Sequence, residues 1–305
     1  LGQRLHRIGW IPGVAFDSSP LYIYLVGVLN SVLGLQEGGV RIVQALATAI
    51  TVCIVWEAGK MLGGRIVGAV AALILAVYPT LILYDTEPMS ECWVILANAS
   101  ALLLLLKLQA GGKKGHAILA GLFLGMSALL RPNIFLWLPF VALGLISGES
   151  TTRAAGPLRS GFLTLAAFVL ALTPIAVINT RADGRLVLVT ASFGSTFYGG
   201  NNPYSDGLGF VSPPLHTATQ YALFDYKSHE PITAEHLSFR LIASWIIGKK
   251  ISAAEASQFW TREALNYIRQ HPGKYLGLLW NKARYFFHSF ELHDTYSSTV
   301  RGLSQ

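Results

Sequence analysis

The chain has 305 residues, of which 52% are apolar and only 13% are charged. A soluble domain carries about 25% charged residues, so the composition excludes the ordinary soluble classes and predicts an integral membrane protein. The net charge of +7 does not indicate nucleic-acid binding, because the basic residues are spread along predicted loops. The two cysteines, Cys53 and Cys92, lie in apolar segments and fit neither a disulfide framework nor a metal-ligand spacing.

The first 34 residues combine a mixed stretch with a short apolar run. The chain begins at Leu1 and has no signal-peptide layout, so we expect a fragment that lacks an N-terminal membrane helix. Residues 20–34 are apolar, but a helix of this length rises only about 22 Å, less than the roughly 30 Å of a hydrocarbon core. We therefore predict a helix that lies in the membrane interface and does not cross the bilayer.

Longer apolar runs predict about six membrane spans between residues 41 and 178. The predicted spans are 41–60, 65–83, 89–106, two short helices of a hairpin within 116–147, and 161–178. Arg131-Pro132-Asn133 interrupts the 116–147 run, which is too long for one crossing. The fold class predicted for residues 1–178 is therefore all-α, a multi-helix transmembrane bundle.

Basic residues set the predicted orientation of the spans. They flank three turns that fall on the same side: Lys60 and Arg65; Lys107, Lys113, Lys114 and His116; Arg153 and Arg159. The positive-inside rule makes that side cytoplasmic. The acidic loop at 84–88, Arg131 and everything after residue 178 then lie outside. If 20–34 lies flat, Asp17 shares that outer face.

An acidic cluster separates two apolar runs. Asp85, Glu87 and Glu91 all lie within YPTLILYDTEPMSECW (78–93). Carboxylates at a membrane edge are functional candidates when they face a bundle interior. They are equally compatible with a capped helix start, because Pro88 suits a first turn and acids suit the positive end of a helix dipole. Both interpretations stay open at this point.

Arg131 supplies a cation at the outer end of a predicted helix. Its side chain either reaches out to the lipid headgroups or serves a site. A carboxylate can deprotonate an acceptor hydroxyl, and a cation or metal can stabilise a departing phosphate, so the set suits transfer from a lipid-linked phosphate. Phosphate-loop, dinucleotide, zinc-type His and Gly-x-Ser-x-Gly patterns are absent from the sequence.

Residues 179–305 are more polar and form a predicted extracytoplasmic and interfacial segment of mixed structure. Residues 185–194 are predicted as one short strand, and 255–270 and 273–292 as amphipathic helices. GGNNPYSDG (199–207) is turn-rich, so Asn201 and Asn202 are either turn residues or substrate contacts. Lys282 and Glu291 are left off the catalytic set, because they are equally well explained as water-facing.

Several segments, in their order and spacing, resemble one family. They are SSPLYIYLVGVLNSVLG (18–34), YDTEPMSECWVIL (84–96), GLFLGMSALLRPNIFLWLP (121–139), GRLVLVTASFGSTFYGGNNPYSDG (184–207) and NYIRQHPGKYLGLLWNKARYFFHSFEL (266–292). Together they resemble bacterial relatives of the dolichyl-phosphate-mannose protein mannosyltransferases, which are C-type (GT-C) glycosyltransferases. The resemblance covers nearly the whole chain.

The resemblance implies an inverting hexosyl- or pentosyltransferase that uses a polyprenyl-phosphate sugar. The acceptor hydroxyl belongs to a protein, a lipid or a glycan, and the implied site faces the exterior of a bacterial inner membrane. The implied catalytic residues are Asp17, Asp85 and Glu87, and the implied substrate-binding residues are Glu91, Arg131, Asn201 and Asn202. A divalent metal, Mg or Mn, is left open. The family's first acidic motif has no visible counterpart in the sequence.

Two other functions are weighed against the transferase. A transporter needs ionisable residues near the bilayer midplane, whereas Glu57, the main acid inside a predicted span, lies close to the cytoplasmic end. A non-catalytic scaffold with a degenerate transferase fold stays open because the first acidic motif is not seen.

Overall fold

The computed structural model describes residues 10–147, 157–211 and 234–287. These described residues are helical, with no strand among them, which confirms the all-α prediction for the described part of the chain. They divide into two compact units, and the chain passes between the units in the region of residues 182–191.

The first unit contains most of the helices. They are α1 (Pro20–Ser31), α2 (Glu37–Ala76), α3 (Pro79–Asp85), α4 (Glu91–Gln109), α5 (Lys114–Leu130), a 3₁₀ turn (Pro132–Leu136), α6 (Leu138–Ser147) and α7 (Pro157–Asp183). The break at Arg131 lies where the sequence predicted it. The second predicted span, 65–83, is divided in two, because Pro79 starts a new helix after α2 ends.

Helix α2 reverses direction in its middle. Gly63 and Gly64 leave the helical conformation, and Gly64 has φ +84°, a region that favours glycine. A Cβ placed on Gly59 would lie 2.8 Å from the Cα of Gly68, whereas residues nine apart in a straight helix are about 13.5 Å apart. Residues 37–62 and 65–76 are therefore two helices that pack closely against each other.

Helices α5 and α7 approach each other through small residues. A side chain at Gly121 would collide with the carbonyl of Thr164, and one at Gly125 would lie 2.5 Å from the Cβ of Ala171. This small-xxx-small spacing is a common way for membrane helices to bring their backbones together. The buried core beside it includes Ala101, Leu124, Ala128, Phe168 and Leu172.

Three helices are long and apolar enough to cross a membrane. They are α2, α4 and Leu158–Asp183 within α7, judged by length and composition among the described residues. The finding supports a membrane protein, while the count of six spans stays a prediction. Helix α1 has 12 residues and rises about 18 Å, so its length fits the predicted interfacial position.

The predicted strand at 185–194 is wrong. The segment is irregular until Phe193, where a helix begins. Leu186 and Leu188 are exposed and Val187 and Val189 are buried, so the alternation expected of a strand is present. The two valines are buried although the segment joins no sheet. Alternate residues of an extended segment can be buried in this way without a neighbouring strand.

The second unit contains α8 (Phe193–Gly200), α9 (Ala234–Ile247), α10 (Ala253–Gln270) and α11 (Pro272–Phe286). Its core includes Phe239, Ile242, Ala256 and Trp260, and the Trp260 indole donates to the Phe239 carbonyl at 2.9 Å. The two amphipathic helices predicted at 255–270 and 273–292 correspond to α10 and α11. Residues 288–292, including Glu291, lie outside the described residues.

Candidate active site at one end of the helix bundle

Asp17 is buried in a segment that is anchored on both sides. The Phe16 backbone N–H donates to the Asn179 side-chain oxygen at 2.9 Å, and the same Asn179 amide donates to the Val189 carbonyl at 2.7 Å. On the other side, the Ser19 hydroxyl donates to the Leu130 carbonyl at 2.5 Å. Ser19 stands at the start of α1 but caps nothing, because its hydroxyl is used to hold the end of α5.

Arg131 follows Leu130 directly and pairs with an acid of the predicted cluster. Its guanidinium donates to the Glu91 carboxylate, at the first residue of α4. The Arg131 side chain is 52% exposed and that of Glu91 is 20% exposed. A planar guanidinium held at one nitrogen can still offer N–H groups to a phosphate. Arg131 is therefore anchored in the protein and open to a ligand at once.

Glu87 is connected to the same region through a buried glutamine. The fully buried Gln44 of α2 accepts a hydrogen bond from the Tyr22 hydroxyl at 3.1 Å and donates one to the Glu87 backbone carbonyl at 2.7 Å. The Glu87 carboxylate has no hydrogen bond or ion pair to another described residue. Gln44 thus fixes the backbone of Glu87 while its half-buried carboxylate stays available.

Asp85, the last residue of α3, bonds to α2 one turn beyond Gln44. The Thr48 hydroxyl donates to an Asp85 carboxylate oxygen at 2.9 Å. Burial raises the pKa of Asp85 above its ordinary value of 3.8, and the Thr48 hydrogen bond only partly opposes this. A carboxylate with a raised pKa holds a proton more readily, which suits acid–base work.

The helix-cap interpretation of the acidic cluster explains one of its members. Helix α4 begins at Glu91, so this carboxylate lies in the first turn, where the dipole favours it. The expectation that Pro88 occupies that first turn is wrong, because Pro88 lies three residues before Glu91 in a turn. Asp85 ends α3, the terminus that disfavours negative charge. Neither Asp85 nor Glu87 is accounted for as a cap.

These contacts bring five predicted residues to one end of the bundle. Asp17 is connected to Arg131 and Glu91 through Ser19 and Leu130, while Glu87 is connected to α1 through Gln44 and Tyr22. Sequence reasoning missed Gln44 and Asn179. Each is an amide side chain within a largely apolar helix, which was the available signal.

Asn201 and Asn202 belong to the second unit. The buried Asn202 amide donates to the Tyr198 carbonyl at 2.8 Å, and its oxygen accepts from the Tyr204 backbone at 2.8 Å. Asn201 donates to the Phe197 carbonyl and accepts from Lys282 at 3.0 Å. These contacts stabilise the turn, and a role in substrate binding stays a prediction.

The carboxylates do not form a metal centre in the described structure. Within residues 10–147, 157–211 and 234–287, no three His, Cys, Asp or Glu side chains are grouped to hold an ion. Asp85 is bonded to Thr48, and Glu91 is paired with Arg131. A role for a divalent metal stays a prediction, since Mg²⁺ is often held by one or two carboxylates together with substrate phosphates.

Residues 17–178 match the family model of the dolichyl-phosphate-mannose-protein mannosyltransferases. The chain belongs to this family. No curated protein and no solved structure matches it. The matched stretch contains Asp17, Asp85, Glu87, Glu91 and Arg131, so the whole cluster lies in the part that carries the family likeness.

Membership confirms the resemblance seen in the sequence and favours the enzyme over the transporter. This family member is a membrane glycosyltransferase of the mannosyltransferase type. A family named for dolichyl-phosphate-mannose implies a polyprenyl-phosphate sugar as donor and an acceptor at the membrane.

Proposed function

We propose that this protein transfers a sugar from a polyprenyl-phosphate donor to an acceptor hydroxyl, with inversion, at the bundle end that holds Asp17. The observation that carries the proposal is the gathering of three carboxylates beside the Arg131–Glu91 pair, inside the family-matched stretch. One end of a bundle then offers groups for both the acceptor and the leaving phosphate.

Glu87 acts as the general base in this proposal. Its carboxylate has no bond to another described residue, and its backbone is held by Gln44. The carboxylate takes the proton of the acceptor hydroxyl as that oxygen forms a bond to the anomeric carbon. The bond from that carbon to the phosphate oxygen breaks, and the electron pair leaves with the polyprenyl phosphate. Attack opposite to the leaving group inverts the anomeric carbon.

Arg131 receives the negative charge that develops on the phosphate. The half-exposed guanidinium is already oriented by Glu91, so little reorganisation is needed when charge develops. Asp17 and Asp85 orient the acceptor beside Glu87. Asp17 is buried and Asp85 is bonded to the Thr48 hydroxyl, and these features limit the movement of the two carboxylates.

The site faces the outer side of a bacterial inner membrane in this proposal. The basic loops at 60–65 and 107–116 support it, because they put the opposite ends of the helices outside. A lipid-linked donor enters sideways from the bilayer. Its phosphate lies at the depth of the lipid headgroups, where the end of the helix bundle also lies. The acceptor arrives from the aqueous side.

The decisive experiment is transfer in membranes that contain the protein. Polyprenyl-phosphate sugars of several identities are supplied, and the product is isolated for NMR assignment of its anomeric configuration. We expect a product whose configuration is opposite to that of the donor. Retention of configuration contradicts the single-displacement mechanism, and no transfer from any lipid-phosphate sugar contradicts the proposed function.

A further inference from the structure

Helix α11 has its apolar side turned away from the protein. Along one side of the helix the exposed positions carry apolar side chains: Leu276, Leu279, Trp280, Ala283, Phe286 and, just after the helix, Phe287. Trp280 is 71% exposed and Phe286 is 83% exposed. At 100° per residue these positions share one face, opposite the only buried residue of the helix, Leu278. We call this set the outer face of α11.

The polar side of α11 is turned toward the protein. The Lys282 ammonium donates to the Gly200 carbonyl at 2.6 Å and to the Asn201 oxygen at 3.0 Å. Asn281 donates to the Asp206 carbonyl at 3.3 Å. These bonds fix the rotation of the helix about its axis, so the outer face cannot turn inward without breaking them.

The neighbouring helix α10 has the usual polarity. Ala256, Trp260 and Ala264 are buried, while Gln258, Arg262 and Arg269 are exposed. Two consecutive helices of one unit therefore have opposite polarity. Exposure to water explains α10 but not α11, since each large apolar side chain left in water forgoes about 1.5–3 kcal/mol of burial.

Cations and aromatic rings accompany the outer face. Lys274 and Arg284 are exposed near the two ends of α11, and the Arg284 guanidinium lies 5.4 Å from the centre of the Tyr285 ring. Tryptophan with flanking basic residues is the pattern of helices that lie at a bilayer surface, where the cations meet lipid phosphates. The 15 residues of α11 rise about 22 Å, which is short for a crossing of the bilayer.

We propose that α11 lies in the membrane interface, with its outer face among the acyl chains and with Lys274 and Arg284 at anionic headgroups. The protein belongs to a family of membrane proteins, so a lipid bilayer surrounds it. That bilayer can cover the outer face of α11, and no protein partner is needed. The second unit is thereby attached to the membrane through its own helix. The proposal does not depend on sugar transfer, so its test can fail or succeed independently of the proposed activity.

The test measures the depth of spin labels in the full chain reconstituted in nanodiscs that contain anionic lipid. Exposed Cys53 is replaced by serine, while Cys92, which is buried, is retained. Leu276→Cys and Trp280→Cys place labels on the outer face. Arg262→Cys and Arg269→Cys place matched control labels on the exposed side of α10. Collisions with oxygen, which concentrates in lipid, are compared with collisions with a water-soluble nickel chelate.

We expect oxygen collisions to exceed nickel collisions at 276 and 280 and to fall below them at 262 and 269. Adding Lys274→Gln and Arg284→Gln should shift both outer-face labels toward the nickel reagent. Nickel-dominated collisions at 276 and 280 overturn the proposal. Labels there that are immobile and hidden from both reagents also overturn it, because they indicate a protein partner or a second copy.

Discussion

The side-chain amide of Gln44 donates a hydrogen bond to the backbone carbonyl of Glu87 at 2.7 Å, from a position with no solvent exposure. The same side chain accepts from Tyr22 at 3.1 Å. One buried residue of α2 thereby joins helix α1 to the acidic turn before α4. The proposed base gets its position from this contact.

Replacing Gln44 should impair turnover more than binding. Gln44→Leu removes both bonds and leaves buried partners unsatisfied, at a cost of about 1–3 kcal/mol each. Because a misplacement of about 1 Å can cost roughly 100-fold in rate, we expect kcat to fall by about 10–100-fold with a smaller change in KM. Kinetics of transfer, with protein amount normalised, measure both quantities.

Two variants separate positioning by Gln44 from general destabilisation. Tyr22→Phe removes the bond to α1 but keeps the bond to Glu87, so it should lose much less activity than Gln44→Leu. Thr51→Val is the matched control, since Thr51 is also buried in α2 and bonds only to the Ala47 carbonyl. Equal kcat losses in Gln44→Leu and Thr51→Val would show that Gln44 has no special role.

The ionised carboxylate of Asp85 should lower the free energy of unfolding at neutral pH, although the proposed mechanism uses it. Its folded pKa is raised above the ordinary 3.8 by burial, so the folded state binds the proton more tightly than the unfolded state. Stability from this group is fully present below pH 3.8 and is lost as pH rises through the folded pKa. Asp85→Asn keeps an oxygen for the Thr48 bond and removes the charge.

We therefore expect Asp85→Asn to have a higher unfolding midpoint than the wild type at pH 7 and a similar one near pH 3. Its transfer activity should be lower at every pH. Thermal unfolding in detergent micelles, followed by tryptophan fluorescence across this pH range, gives the comparison. A variant that is less stable than the wild type at pH 7 would contradict the assigned direction of the shift.

Arg131→Gln should lower transfer by about 100-fold or more, because it removes a pre-oriented donor from the leaving phosphate. Arg131→Lys keeps the charge without the planar fork and should retain part of the activity. The pair with Glu91 is half exposed, so its loss should cost at most about 1 kcal/mol of stability. The midpoint of thermal unfolding checks this second expectation.

Glu91→Gln is the control for Arg131. It leaves the guanidinium charged but no longer oriented by a carboxylate. If Arg131 acts directly on the phosphate, Glu91→Gln should lose less activity than Arg131→Gln. If the two variants lose the same amount, the ion pair is needed as a unit and the direct role of Arg131 is refuted.

The helices could be predicted because long apolar runs and the breaks between them are local properties. Gly63-Gly64 and Arg131-Pro132 end helices by their own backbone preferences. The strand at 185–194 failed because alternating burial of Val187 and Val189 reports packing on one side and does not specify the partner. A local pattern predicts which residues of a segment are buried, but not whether they pack against a helix or a strand.

The site was predicted by residue type but not by its connections. Asp85, Glu87 and Arg131 stand out as charges at the ends of apolar runs. Gln44 reaches Glu87 across 43 residues, and Asn179 reaches Phe16 across 163. No periodicity encodes such distant pairs. An amide side chain in a largely apolar helix indicates that a polar partner exists, but it does not identify that partner.

The orientation of the chain is tested by labelling in intact cells. We expect residues 107–116 and 149–159 to be cytoplasmic and 179–240 to be outside, because the basic loops mark the cytoplasmic side. An impermeant thiol reagent should label Asp206→Cys and spare Lys113→Cys. The opposite pattern would place the proposed site on the cytoplasmic face.

Glu87→Gln should abolish sugar transfer while leaving expression and folding nearly intact. Glutamine keeps the shape of the side chain and some hydrogen bonding, and the Gln44 bond to the backbone does not involve the side chain. If Glu87 served only the start of α4, losing its charge would cost about 0.3–1 kcal/mol and leave turnover alone. Loss of a general base instead lowers the rate by about 100-fold or more.

The matched control is Glu57→Gln. Glu57 pairs with Lys60 at 2.6 Å, near the reversal of α2, and lies 13 residues or about 20 Å along the helix from Gln44. Removing its charge tests the effect of a lost carboxylate away from the cluster, and transfer should stay at the wild-type level. Both variants are assayed in membranes with a polyprenyl-phosphate sugar and normalised to protein amount. Wild-type turnover by Glu87→Gln would show that Glu87 is not the base, because the variant lacks the carboxylate that accepts the proton.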